Sequence, residues 1–266
     1  MHGKTSRKHP LIKWLLVLLI GLPVVHYAGR VFVVDRFGIS GVSMAPTLTA
    51  GQKVWVNKLL MGPRIYTKFD FSGGDLKCVR LPGMRKLRVG DVAVFNCPYG
   101  QEGDSIAFRI NYVYCKRCWG VPGDTVLIVD GRLVGSWNIQ NRFWHEHRAD
   151  ELVDILASIV PEKVSVRAGN FAGEEERWTL RDFGPIVVPK RGMTVALDST
   201  VLRRYGQVID WERRCAGSAS EEVAGSTYTF RQDWYFFVGD NFLNSWDSRH
   251  FGFVPADFVV GIVPNK

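Results

Sequence analysis

Tyr112-Val-Tyr-Cys-Lys-Arg-Cys-Trp-Gly-Val-Pro-Gly-Asp124 sets the architecture of this 266-residue chain. Its first residues suit a strand: β-favouring Tyr, Val and Trp recur, and Pro122-Gly123 closes the run in a sharp turn. The two-residue period puts Tyr112, Tyr114, Lys116 and Cys118 on one face, with Val113, Cys115, Arg117 and Trp119 on the other. Lys116 thereby shares its face with aromatic and small apolar groups. On spacing alone, such a lysine is ordinarily one that snorkels off an edge strand.

Similar short β runs lie on both sides: Lys53–Asn57, Asp91–Phe95, Thr125–Val129 and Trp234–Val238. Asp130-Gly131, between Thr125–Val129 and Arg132–Val134, is a two-residue hairpin signal, because a type I′ turn needs positive φ at both central positions. Helical spacing occurs twice, over Leu152, Ile155, Leu156 and Ile159, and over Val201, Leu202, Tyr205, Val208 and Ile209. Both read as covering helices. The charge-rich stretch from about 138 to 226 reads as an α+β cap inserted into a mostly β core. Mixed composition without a fixed-period repeat excludes a solenoid, collagen or coiled coil.

Lys4, Arg7, Lys8 and Lys13 supply half of the formal net charge of +8 and lie ahead of sixteen uncharged residues, Trp14–Gly29. Half of the basic excess is thus a tail, which argues against a nucleic-acid partner. Sixteen helical residues span only about 24 Å, but residues 11–34 reach about 36 Å if Lys13 and Arg30 snorkel, enough for a bilayer core of about 30 Å. A cleavable leader is disfavoured, since cuts after Ala28 or Gly29 would put His26 or Tyr27 where a small residue is needed. The expectation is a basic cytoplasmic tail (1–10), one transmembrane anchor (11–34) and an extracytoplasmic domain (35–266), oriented by the positive-inside rule.

Five cysteines, Cys78, Cys97, Cys115, Cys118 and Cys215, are too few to staple the domain. The Cys115-Lys-Arg-Cys118 spacing leaves a disulfide open, but no second CxxC completes a zinc site. His145-Glu-His147 is a partial metal pattern better read as a polar loop, so no metal or cofactor is expected. Two further segments carry chemistry. Ser40-Gly-Val-Ser-Met-Ala-Pro-Thr-Leu48 bends around two hydroxyls, and Val238-Gly-Asp-Asn-Phe-Leu-Asn-Ser-Trp-Asp-Ser-Arg-His-Phe-Gly-Phe-Val-Pro255 is a polar loop between apolar strands. Each alone is an unremarkable turn or loop.

Together the three segments resemble the bacterial type I signal peptidases, membrane-bound Ser/Lys proteases that remove signal peptides from exported preproteins. Ser43-Met-x-Pro-Thr-Leu48 is similar to their nucleophile segment and Lys116-Arg-x-x-Gly-x-Pro-Gly-Asp124 to their lysine segment. Gly239-Asp-Asn241, Asn244-Ser245 and Asp247-Ser-Arg249 match their third segment, and Gly90-Asp91-Val-Ala-Val-Phe95 the strand that precedes the lysine. The resemblance implies Ser43 as nucleophile and Lys116 as its base, with Ser245 orienting the amine. It also implies ion pairs Arg117–Asp240 and Asp247–Arg249. It further implies cleavage at Ala-X-Ala-like sites, contact with membrane lipid, a site in the bacterial cytoplasmic membrane and a place near the export translocon.

Such a base must be neutral, so Lys116 has to be desolvated far enough to shed its proton near working pH. Arg117 is no candidate, because guanidinium does not deprotonate. The Ser43 N–H is the expected oxyanion donor. Two departures from the family pattern stand out: Gly41, where some members carry a serine hydroxyl, and Phe242-Leu243, where many carry Arg-Asp. They motivate the alternative of an anchored binding factor that has lost turnover. Other readings are weaker: a self-cleaving repressor-type peptidase, which would carry a DNA-binding module, and a Ser-His-Asp enzyme using His250 and Asp247.

Overall fold

Runs of β-branched and aromatic residues become strands here, and their alternation decides which side of the sheet each side chain covers. The computed structural model describes residues 10–99, 105–134, 178–217 and 227–264, giving backbone alone for 10–13 and 16. In chain order the first half comprises α1 (Pro10–Phe32), β1 (Val34–Gly38), β2 (Lys53–Asn57), β3 (Arg64–Tyr66), β4 (Cys78–Arg80), β5 (Val92–Asn96) and β6 (Val113–Gly120). Then come β7 (Thr125–Val129), β8 (Arg132–Val134), β9 (Phe183–Val187), β10 (Thr194–Ala196), α2 (Ser199–Cys215), β11 (Thr227–Thr229) and β12 (Trp234–Val238). The chain closes with α3 (Ser248–Phe251), β13 (Val254–Pro255), a 3-10 turn at Ala256–Phe258, and β14 (Val259–Val263).

The main sheet has seven strands in the order β1-β2-β14-β5-β6-β12-β13, and three smaller sheets join β8-β7-β9, β3-β4 and β10-β11. Among the described residues every strand pairing is antiparallel. β5 is buried along its whole length because both faces of the sheet are covered. On one side Phe95, Cys118, Phe237 and Phe253 join a large aromatic core, while on the other Val92, Val94, Met44 and Leu48 form a smaller aliphatic one.

The lysine strand follows the expected alternation until Trp119. Gly120 pairs with Phe236 but Cys118 with Phe237, so Trp119 is an extra residue, a β-bulge that turns it into the same core as Cys118. Cys115 instead packs with the aliphatic core. Three residues apart on a strand, Cys115 and Cys118 point to opposite faces, and all five cysteines are free thiols. No disulfide forms at this motif.

The Asp130-Gly131 hairpin forms as expected, with φ of 51° and 74°. α2 realises the second helical pattern: Asp198 caps it by accepting from Val201 N, and Tyr205, Val208, Ile209 and Trp211 face inward. The first helical pattern, over Leu152–Ile159, and His145-Glu-His147 lie outside the described residues, as does much of the expected 138–226 cap. The expected anchor corresponds to α1, 23 residues with Trp14, Leu19 and Val25 exposed. Among the described residues no helix is long and apolar enough to cross a membrane.

Candidate active site

Ser43 lies in the turn after β1, and its neighbours explain its presentation. Met44 and Leu48 are buried in the aliphatic core, and Leu48 N donates to Met44 O at 2.9 Å. The turn is thus anchored by its apolar residues. Lys116 enters from mid-sheet, opposite Ala93 of β5, whose small side chain leaves room for the lysine stem. The two meet: Lys116 Nζ donates to Ser43 Oγ. Among the described residues no acceptor takes the Ser43 N–H.

Lys116 is only 3% exposed, and its Nζ lies 5.5 Å from the centre of the Tyr114 ring. Burial pushes its pKa down, opposed chiefly by the nearby Asp247 carboxylate, which favours the charged form. This is the direction a general base requires. The neighbouring thiols do not compete as nucleophiles: burial pushes Cys97 and Cys115 up to about 12.

One buried ion pair holds the loop between β12 and β13 against this strand, and a second braces the loop internally. Arg117 forks onto Asp240, Nε to Oδ1 at 2.9 Å and Nη2 to Oδ2 at 2.7 Å, while its Nη1 donates to Gly90 O at 2.7 Å. Asp247 and Arg249 pair in the same bidentate manner, at 2.9 and 2.8 Å, with neither side chain exposed. Asp247 Oδ2 also accepts from Gly239 N at 3.0 Å. Arg249 stacks on the Phe242 ring at 3.9 Å and donates to Phe242 O at 2.6 Å. Phe242, a departure in the sequence pattern, therefore has a defined role as a cation–π partner.

Gly239 is where the segments converge. A Cβ built there would lie 2.5 Å from Ser43 O and 2.6 Å from Ser245 Cβ. Ser245 is 6% exposed, and among the described residues its Oγ has no hydrogen-bond partner. The expected bond from this hydroxyl to the lysine amine is therefore not formed here. Ser245 Oγ instead presses on Gly239, filling space that a side chain at 239 would occupy.

Sequence reasoning missed the clamp made by Asn241, whose N donates to Ser43 O at 3.0 Å and whose Nδ2 donates to Val42 O at 3.1 Å. The only signal was its place beside Asp240. Ser40 is exposed, and among the described residues no hydrogen bond assigns it a role. His250 Nδ1 lies 3.8 Å from Asp247 Oδ1, but the hydroxyl of Ser43 is engaged by Lys116. Among the described residues no group of three His, Cys, Asp or Glu side chains is placed to hold a metal ion.

The family "Signal peptidase, peptidase S26" matches residues 11–264. The chain belongs to the signal peptidase family. Among its relatives, the signal peptidase I of Bacillus caldolyticus is 43% identical over 234 residues, 88% of this chain and 79% of that one. The signal peptidase I of Bacillus licheniformis is 25% identical over 219 residues, covering 81% of this chain and 89% of that one. A crystal structure of a signal peptidase I from Enterococcus faecalis V583 aligns with 67% of this chain and 97% of that one, at 21% identity and a TM-score of 0.28. As a member of its family the chain is a serine peptidase, a hydrolase.

Proposed function

We propose that this peptidase removes signal peptides from exported preproteins, with Ser43 as nucleophile and Lys116 as general base. The supporting observation is the contact between a buried amine and the Ser43 hydroxyl. A serine hydroxyl needs a base, and an amine stripped of water can serve once it has lost its proton. Neutral Lys116 accepts the Ser43 proton as Oγ attacks the scissile carbonyl. The open Ser43 N–H faces the developing oxyanion, and one such donor is worth about 3 kcal/mol. Lys116 then returns its proton to the leaving amine, and water hydrolyses the acyl-enzyme by the same exchange in reverse. Arg117, Asp240 and Ser245 support the pair without exchanging protons, and no metal or cofactor enters.

The same reading assigns α1 to a single-pass anchor in the bacterial cytoplasmic membrane, with the catalytic domain outside the cytoplasm, within reach of the export translocon. Lys58 Nζ donates to Arg30 O at 2.6 Å, tying the end of α1 to the domain. Exposed Leu59, Ile65, Val79 and Met84 follow nearby in the β2–β4 region and suit contact with lipid. An extended preprotein would add beside exposed strands, with small residues of an Ala-X-Ala-like site entering shallow apolar pockets.

The test incubates membranes bearing the protein with a labelled preprotein. Ser43→Ala and Lys116→Ala should each abolish processing, and a chelator should leave the wild-type rate unchanged. Equal processing by all three proteins would refute the dyad, and loss on chelation that zinc restores would point to a metal centre. An anchored factor without turnover predicts binding but no cleavage by the wild type.

A further inference from the structure

We propose that Lys58 and Asp35 lock the end of α1 to the sheet and so fix the height of Ser43 above the bilayer. The number of residues between a signal peptide's apolar run and its scissile bond then becomes a criterion of selection. The proposal rests on the anchor and dyad readings above.

The junction has no slack. α1 ends at Phe32 and β1 begins at Val34, leaving Val33 as the only residue between them. Val33 is bonded on both sides: its N–H donates to Gly29 O at 2.9 Å, and its carbonyl accepts from Lys58 N at 2.8 Å. The helix therefore runs straight into the β1–β2 ladder, which continues from Val34 opposite Asn57 to Gly38 opposite Lys53. A linker that let anchor and domain move independently would need several residues free of such bonds.

Side chains brace the same point. The last carbonyls of a helix have no partner within it. Lys58 Nζ donates to one of them, Arg30 O, at 2.6 Å, and places a positive charge where the helix dipole favours it. Asp35 gathers the rest: its Oδ1 accepts from Arg30 Nε at 3.0 Å and from Arg36 N at 2.8 Å, and its Oδ2 from Lys58 Nζ at 3.4 Å. The Lys58 and Asp35 side chains are only 13% and 18% exposed, so water and salt screen this pair less than an open surface one.

The lock transmits position to the nucleophile. β1 leads to the turn that carries Ser43, and the exit from β1 is pinned by Ile39 N to Gln52 O at 2.8 Å and by Gly51 N to Ile39 O at 2.7 Å. The five residues of β1 span about 17 Å, the reach of about five extended substrate residues. A signal peptide carries its own apolar run ahead of the cleavage site, and that run lies in the same bilayer. Enzyme and substrate thus meet at a fixed height, and each residue removed from the connection withdraws the scissile bond by about 3.3 Å. Too short a connection cannot reach Ser43 unless the domain can bend toward it.

The experiment uses the full chain in phosphatidylcholine–phosphatidylglycerol vesicles. It measures initial cleavage rates for preproteins whose connection is shortened or lengthened by one to four residues, and for a free peptide bearing the site without the apolar run. The proteins compared are wild type, Lys58→Met, Lys58→Arg, Ser43→Ala and a form with six Gly/Ser residues inserted between Val33 and Val34, an insert whose reach is about 13 Å. Removing three connecting residues withdraws the bond by about 10 Å and should slow wild type and Lys58→Arg by about tenfold or more. The inserted form should lose less than about threefold, with Lys58→Met between the two. All but Ser43→Ala should cleave the free peptide within about threefold of one another. An inserted form with the wild-type spacing profile overturns the proposal, as does a wild-type rate indifferent to spacing or a Lys58→Met variant identical to wild type. If Lys58→Met is unfolded by circular dichroism, the inserted form decides alone. Activity in Ser43→Ala would instead overturn the dyad, and a chain that fails to float with the vesicles would overturn the anchor.

Discussion

Replacing Gly239 by alanine adds one methyl group where the nucleophile turn, the end of β12 and Ser245 meet. The new Cβ would stand 2.5 Å from Ser43 O and 2.6 Å from Ser245 Cβ. Favourable contact lies near about 3.5 Å, so about 1 Å of movement is needed. Neither neighbour is the free end of a flexible side chain: Ser43 O belongs to the backbone that carries the nucleophile and is held by Asn241 N at 3.0 Å. A misplacement of about 1 Å at a reacting centre costs on the order of a hundredfold, and overpacking of this kind costs about 1–3 kcal/mol of stability. We expect kcat for preprotein cleavage to fall about a hundredfold with KM little changed, while urea unfolding shows a folded, moderately destabilised protein. A kcat within about threefold of wild type, less than 1 kcal/mol of barrier, would refute the close packing inferred at this point.

Four further outcomes follow from the same contacts. The cleavage rate should rise with pH, because burial lowers the Lys116 pKa and the active amine is present only above that value; a flat alkaline profile would count against a titrating base. Between the folded value and the unfolded value near 10.4 the unfolded chain holds the extra proton, so stability gains with pH over that window. Lys116→Met should therefore be inactive yet about 1–2 kcal/mol more stable at neutral pH, with the margin shrinking toward pH 10 in urea titrations. Asp240→Ala strands the buried Arg117 and should cost about 3–5 kcal/mol by the same measurement. Glu212→Gln should cost about 2–3 kcal/mol, since its carboxylate accepts from Tyr228 Oη, Arg231 N, Gln232 N and Trp234 Nε1, and an amide would turn a donor toward some of these donors.

The strands were legible as short runs of β-branched and aromatic residues: Lys53–Asn57, Thr125–Val129 and Trp234–Val238 have the observed bounds of β2, β7 and β12. Trp119 was assigned to the wrong face because a bulge depends on the partner strand, and nothing within residues 112–124 encodes where Phe236 and Phe237 will pair. At the site, Arg117 meets Asp240 and Asp247 meets Arg249 as the resemblance implies, whereas spacing alone brought none of them together. Ser245 did not make its expected bond, since the direction of a hydroxyl depends on packing against Gly239, a contact between residues six apart around a loop. The contacts of Asn241 and of His250, and the short helix α3, escaped notice for a related reason. Their partners are backbone amides and carbonyls, which every residue owns and no motif advertises.

The two hydrogen bonds from Asn241, to Val42 O and Ser43 O, limit how parts can be exchanged between such enzymes. Residues 40–48 and 239–249 are remote in the chain yet form one mechanical body, so neither can be transplanted alone into a homologous scaffold. A graft that carries both should keep the presentation of the serine, provided the receiving sheet supplies a lysine and an arginine where β6 has Lys116 and Arg117.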